Sequence, residues 1–508
     1  MNLNIAQKPP EPDVSRITVT LHGMDSTAHV EAKILPAPDI AYDQHQAIVQ
    51  GYRRRVWSIE NGRFARPARP PLDWVICVWE NAVKCDTARK FIEEYRKCAR
   101  RYGLDLDEPV FYRLQSSEPE QIKEACRYFA ANDVTFVLSI IGEIDTAKTG
   151  LLTIEALKYK FIYQIVLSKT VVRIVDPEVE YHCEEEELLQ HIVMRTNVRL
   201  GGCNHDLASS MMHPRDYIEN LLHRRIFIGL HMRQSSSEHL NVAAMTYTQP
   251  SPVNVRGCFW FPEASGHIPR LPMLINDALE MYRRSSAKEP WYVFYPEEIV
   301  IFRSVSNMND IETIKEQEIP HIKEMLDMKD KKRYISEMQY YRKGIYEVEP
   351  QYNPRLVVIA AMECPHVKLQ KYETDENGNT KVDERIRPGT CVDCTAANEA
   401  ISEFYLDSIG GSSNPEHASK TVRYIVVHDD AKKSADQLQN LTHALCYANG
   451  ISTAPTALPE PLLSAHELVC KGRSMLKALI GSEARFFHSN HEEKLLATAK
   501  CYCAQFWA

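Results

Sequence analysis

Apolar and polar positions alternate with a period of two over residues 17–21 (ITVTL) and again over 30–35, just before Pro36, Ala37 and Pro38. A period of two sends successive side chains to opposite faces, so both stretches predict half-buried strands. A Pro- and Arg-rich stretch, 64–71, leads to Asp73 and Trp74, where the pattern changes. WVICVW (74–79) is an unbroken apolar run, as expected of a short buried strand. Residues 86–102 carry Phe91, Ile92, Tyr95 and Ala99 on one side, which predicts an amphipathic helix. A second helix is predicted over 120–130 and a second buried strand over 134–141 (VTFVLSII). Strands alternating with helices of this length build βαβ units around a parallel sheet. The fold class is α/β.

Further on the pattern is mixed. RIFIGL (225–230), EIVIFR (298–303), RLVVIAA (355–361) and YIVVH (424–428) are the clearest strands, and a long charged helix is expected over 311–342. Residues 372–383 (YETDENGNTKVD) contain an Asn-Gly pair and predict an exposed hairpin tip or loop. After the strand at 424–427 comes an acidic turn, then a helix with Leu438, Leu441, Ala444 and Leu445. Pro459 and Pro461 then lead to Ala465 and His466 at the head of a second, basic helix. No internal repeat or extended low-complexity region interrupts this order.

Composition narrows the class without choosing a function. A chain of 508 residues is long enough for two or three domains. No apolar run is long enough to span a bilayer, and the first residues lack the layout of a secretory signal. Fourteen cysteines without regular spacing fit a reducing compartment, so a cytoplasmic location is expected, with nuclear entry left open. The formal net charge of −8 disfavours broad polyanion binding, yet a locally basic cleft remains compatible with it.

Two segments carry chemistry. The first is TNVRLGGCN, residues 196–204: its glycines permit a tight turn or close packing, and it follows a predicted helix at 186–195. Arg195 and Arg199 are four apart, which puts them on one face of a helix-like segment. The second is the block 424–473, which contains His466, Lys471 and Arg473. These two segments, in this order, resemble the C-terminal part of Argonaute/Piwi proteins, and ITVT, ILPAP, VWSIENGRF and WVICVW resemble the linker that precedes it. Nematode-specific Argonautes are the most similar subgroup.

The resemblance implies a linker over 1–72, a Rossmann-like MID domain over 73–205 and an RNase H-like PIWI domain over 206–508. It also implies that the N-terminal and PAZ domains of the family are missing, as in a fragment or a short variant. In the family several basic residues hold the 5′ phosphate of a guide RNA. The matching positions are Lys158, Arg195, Arg199, Lys471 and Arg473, with Lys169 near a position that is Gln in the family. Ile154 stands where a Tyr stacks on the first base, with Tyr159 nearby, and Phe506, Trp507 and Ala508 resemble the family's aromatic ending. Any one Lys or Arg is usually a solvated surface charge. Six falling on one pattern point instead to a pocket for a terminal phosphate, which needs several convergent donors.

PIWI nuclease chemistry needs carboxylates that hold two divalent ions. The two Asp positions of the family are occupied here by His231 and Ser304, and only the final His, His466, is kept; Glu263 or Asp277 stands nearest the family's additional Glu. The expectation is a slicing-incompetent protein without a cofactor. Its partners would be a small guide RNA, a complementary target RNA and silencing effector proteins, with no membrane. A protein-interaction scaffold that has lost RNA binding, and a residual metal-dependent endoribonuclease, are the alternatives. Cys364, His366, Cys391 and Cys394 have the residue types of a zinc shell, but both segments also match the family without a metal. The acidic run at 184–187 suits a helix start, and the aromatics within 151–165 suit the core of the MID sheet.

Overall fold

The structure is a computed structural model. It describes residues 17–22, 27–43, 46–48, 57, 59, 62–71, 73–175, 182–208, 222–233, 241–262, 270–286, 295–327, 352–364, 367–374, 380–383, 386–394, 402–410 and 420–480.

Strands β1 (Ile17–His22) and β2 (Thr27–Ile34) pair antiparallel, with Ile17 opposite Ala32, and β3 (Asp39–Tyr42) pairs with β4 (Gln46–Ile48). A first α/β unit follows. It runs β5 (Trp74–Trp79), α1 (Cys85–Arg101), β6 (Val110–Leu114), α2 (Pro119–Ala131), β7 (Phe136–Ile141), α3 (Thr146–Tyr159), β8 (Ile162–Leu167), α4 (Ser168–Val175) and α5 (His182–Arg199). Its four strands are parallel in the order β6-β5-β7-β8, a doubly wound arrangement. Every residue of β5 and β7 is buried because helices cover both faces, which is why these strands read as continuous apolar runs. Trp74, Ile76 and Val78 pack with α1 on one side, and Val75, Cys77 and Trp79 pack with α2 and α3 on the other.

A larger unit begins with β9 (Asp206–Ala208), which pairs with β3. The chain continues through β10 (Arg225–Arg233), β11 (Val242–Thr248), β12 (Val255–Trp260), α6 (Leu271–Ser286), β13 (Glu298–Ser304), α7 (Met308–Thr313), a π-helical turn (Ile314–Glu318) and α8 (Ile319–Leu326). After these come β14 (Arg355–Glu363), β15 (Lys368–Thr374), β16 (Thr380–Asp383), β17 (Thr390–Asp393), β18 (Glu403–Asp407), β19 (Val422–Asp429), α9 (Ala435–Leu445) and α10 (Glu460–Ile480). Twelve strands form one sheet, in the order β12-β11-β10-β13-β14-β19-β18-β17-β2-β1-β15-β16. Strands β10, β13 and β14 are parallel neighbours, and β11 runs antiparallel beside β10. The first two strands of the chain are thus built into the far half of this sheet through β15 and β17.

Two expectations change, and a third, the hairpin, is met. Within the range 311–342 expected to be one helix, the described helix ends at Leu326, where Asp327 takes up extended backbone (φ −71°, ψ 130°), and a π turn interrupts it before Pro320; residues 328–342 lie outside the described residues. Proline has no N–H to continue the ladder, so the preceding turn widens. The basic helix starts at Glu460, not at Ala465, with Pro461 in its first turn, where a missing N–H costs nothing. The 372–383 insert is a β-hairpin, β15 with β16, whose tip at 375–379 lies outside the described residues. Among the described residues no helix is long and apolar enough to cross a membrane.

The two units meet along α3, α5 and α10. Helix α3 packs closely on α10, where a Cβ on Gly150 would fall 2.1 Å from the Ser474 carbonyl oxygen. The segment after α5 ties three parts of the chain together. Asn197 Oδ1 accepts from the Ala68 N–H (2.7 Å) and its amide donates to Asn204 Oδ1 (2.8 Å). Asn204 in turn donates to the carbonyls of Met194 (2.9 Å) and Gly450 (2.6 Å). Both glycines have a reason: Gly201 has φ +88°, and a Cβ on Gly202 would lie 2.3 Å from Asn197 Oδ1.

Gly202→Ala should therefore lower stability by about 2 kcal/mol or more, read as a lower urea midpoint with unchanged slope. A second outcome concerns pH. Burial lowers His205 from 6.5 to about 4 and His443 to about 3, and neither ring nitrogen of His443 has a hydrogen-bond partner. Below pH 6.5 the unfolded chain binds protons that the folded chain refuses, so stability is full above that value and falls as pH drops toward 4. Thermal midpoints across this window should decline, and less steeply in His443→Leu.

Candidate nucleic-acid interface

The last turns of α5 carry Arg195 and Arg199, and α10 carries Glu467 and Lys471. Between them lies Tyr163 of β8, 3% exposed. Arg199, itself 5% exposed, donates to the Tyr163 carbonyl and sits 5.5 Å from its ring centroid. Lys471 Nζ lies 5.8 Å from the same ring. The Tyr163 hydroxyl is 2.6 Å from Thr153 Oγ1 on α3. Next along β8, Gln164 donates to the Ile192 carbonyl (3.0 Å) and accepts from Thr196 (2.9 Å), whose hydroxyl also meets Tyr95 (2.7 Å).

Charge and burial are coupled here. Burial pushes the Arg199 guanidinium down to about 10 and Arg195 adds to this, while Tyr163 and Glu467 oppose it. Burial alone would raise the Tyr163 phenol, but Lys471 and Arg199 pull it below its usual value. Glu467 is pushed up by burial against the pull of Arg195, Lys471 and Arg199. Three cations thus face one weakened carboxylate, and the potential at this seam is positive although the whole chain is acidic.

Of the six basic positions expected in the pocket, the fold joins Arg195, Arg199 and Lys471. The other three lie elsewhere. Lys158 is 55% exposed, pairs with Glu155 (3.4 Å) and lies over the Tyr159 ring (4.7 Å). The face of α3 turned to α10 carries Gly150, Ile154 and Leu157 instead. Lys169 is exposed on the first turn of α4, beyond the end of β8. Arg473 is two residues past Lys471, about 200° around the helix, and so shares the face of His466. Ile154 packs toward α10, so its position offers no aromatic face. Gln164 was missed by the sequence reading, which looked five residues further on; the available signal was a polar residue inside an otherwise apolar strand. Residues 506–508 lie outside the described residues.

The three positions matched to the family's cutting site come together. His231 on β10 and Ser304 at the end of β13 are next to each other on parallel strands, with Nδ1 and Oγ 2.7 Å apart. The ring of His466 stands 4.8 Å away and nearly perpendicular, at 82°. Burial first, then the charges of His466, Arg303 and Arg233, lowers His231 to about 3, so it is neutral at ordinary pH. Arg303 is buried against Glu318 (3.4 Å). Two imidazoles, a hydroxyl and a nearby guanidinium do not fit a magnesium pair, which asks for anionic oxygen donors. Among the described residues no group of three or more His, Cys, Asp or Glu could hold a metal ion. Asp277 lies on α6 beside Tyr247, and Glu263 is outside the described residues.

The zinc constellation does not assemble either. Cys391 is buried in the core with Phe404 and Leu406, whereas Cys394, three residues on, packs near Ala32 and Val392 on the other side. Burial pushes the Cys364, Cys391 and Cys394 thiols up. His366 lies outside the described residues.

Comparison with known proteins identifies the family. Residues 136–477 match the Piwi domain model, a range that begins on β7 of the smaller sheet. The chain belongs to the Argonaute/Piwi family. It is 22% identical over 506 residues to the Nuclear RNAi defective-3 protein of Caenorhabditis elegans, covering 94% of this chain and 44% of that protein. It is 21% identical over 473 residues to Protein argonaute PNH1 of Oryza sativa subsp. japonica, covering 87% and 44%. The chain thus spans about 44% of the length of these curated relatives. Nematode and plant proteins match at the same level, so identity establishes the family and not a subgroup. The C-terminal lobe of a budding yeast Argonaute superposes with a TM-score of 0.74 at 16% identity, covering 97% of both chains. Kluyveromyces polysporus Argonaute with a guide RNA gives 0.70 at 17% identity, covering 89% of this chain and 51% of that one. The fold is therefore a Rossmann-like unit followed by an RNase H-like one.

Thr196→Val would strip Tyr95 and Gln164 of a buried partner without changing side-chain size. A loss of about 1–3 kcal/mol in unfolding free energy is expected, measured by urea titration.

Proposed function

We propose that this chain holds the 5′ end of a small guide RNA and acts in RNA-mediated silencing without cutting the target. The observation that carries this reading is the meeting of Arg195, Arg199 and Lys471, from helices more than two hundred residues apart in sequence, beside one buried strand. A terminal phosphate carries about −1.5 to −2 charge at neutral pH and prefers such convergent donors over a diffuse basic surface. Family membership supports a role with small RNA, and one structural neighbour was solved with a guide RNA. The target would be recruited by base pairing and silenced through effector proteins, in the cytoplasm. Domain limits at 72/73 and 205/206 belong to the same proposal.

Absence of slicing rests on His231 and Ser304 standing where the family has carboxylates. The competing scaffold reading is favoured by the acidic total and by Lys158, Lys169 and Arg473 lying apart from the cluster.

Small RNAs that co-purify with the protein should form one sharp length class with a dominant first nucleotide. Arg195→Glu with Lys471→Glu should lower affinity for a 5′-phosphorylated RNA by about tenfold or more, while Lys158→Glu changes it little. Background RNA alone, unaffected by the double variant, would favour the scaffold. For the cutting question, the loaded protein is incubated with a matched labelled target and Mg²⁺ or Mn²⁺. No cleavage opposite the guide centre is expected; specific cleavage lost in His466→Ala would reverse the reading.

A further inference from the structure

Three helices converge on Tyr163. Its hydroxyl meets Thr153 of α3 at 2.6 Å, its carbonyl accepts from Arg199 of α5, and its ring lies under Arg199 (5.5 Å) and Lys471 of α10 (5.8 Å). Arginine and lysine side chains are otherwise long and rotamer-rich, and fixing them costs entropy that a bound phosphate would have to offset. An aromatic face holds a cation in place before any ligand arrives. We propose that Tyr163 is the positioning residue of the phosphate pocket, holding Arg199 and Lys471 at the spacing that a terminal phosphate meets. This rests on the phosphate-binding reading given above.

The placement has a chemical consequence. The groups facing Tyr163 are Thr153 on α3, Arg195 and Arg199 on α5, and Glu467 and Lys471 on α10. Lys471 and Arg199 draw the phenol below its ordinary value of 10. When the hydroxyl loses its proton, the phenolate neutralises the cations from inside the protein. The pocket then loses its attraction for phosphate while the fold stays intact. Tyr163→Phe keeps the ring and removes this titration. Tyr163→Leu removes the ring.

The test uses the full chain and one single-stranded RNA with either a 5′ phosphate or a 5′ hydroxyl, with fluorescence anisotropy as the readout. Affinities are compared from about pH 7 to about pH 9.5, where the phosphate keeps its full charge because its second pKa is about 6. In the wild type the preference for the phosphorylated RNA should fall as pH rises. In Tyr163→Phe it should stay level, and in Tyr163→Leu it should already be about tenfold lower at neutral pH. A parallel alkaline fall in wild type and Tyr163→Phe would overturn the inference and leave phosphate binding standing. So would an unchanged neutral-pH preference in both variants. A wild type that does not distinguish the two RNAs would remove the phosphate-binding reading, and this inference with it.

Discussion

The polar seam after α5 is the constraint on which the rest of this molecule depends. A segment that joins two sheets must cross from one core to the next, and every polar group it buries on the way needs a partner. Thr196, Asn197, Arg199 and Asn204 are all buried, and their partners come from three parts of the chain: Tyr163 and Gln164 of β8, Ala68 and Gly450. Apolar residues could fill this space but could not choose one relative placement of the two units. Directional bonds can.

That placement creates the candidate pocket. Arg199 reaches Tyr163 because Asn197 and Gly202 lock the turn that follows α5. Lys471 reaches the same ring because α10 lies tightly on α3 at Gly150. The positive potential is then a local product of geometry inside an acidic chain, sharpened by burial, which makes each charge act on its neighbours more strongly than it would in water. A second cluster lies on another face of the same helix, where His231 bonds to Ser304 and meets the His466 ring edge-on, near buried Arg303. One helix therefore serves both places, with Lys471 and His466 on separate faces.

Much of the secondary structure could be read directly from the residues. WVICVW, RLVVIAA and the α1 face of Phe91, Ile92 and Tyr95 were legible because burial on both faces, or on one stripe, leaves a periodic trace. The break of the helix at Asp327 is not legible in the charge pattern, which runs on past Leu326. Of the site, Arg195 and Arg199 were legible since four residues make one helical turn. Lys158, Lys169 and Arg473 were placed by matching positions, and side-chain direction on α3, α4 and α10 sends them elsewhere.

By itself the sequence determined the α/β class and the two motif segments that point to the family, because these are local in the chain. Only the tertiary structure decided that Tyr163 lies between Arg199 and Lys471, and that Lys158 pairs with Glu155 on its own helix instead. The reason is physical: a helix fixes which residues share its own face, but which face meets another helix is set by long-range packing, where Gly150, Gly202 and Asn197 allow one approach and exclude the rest.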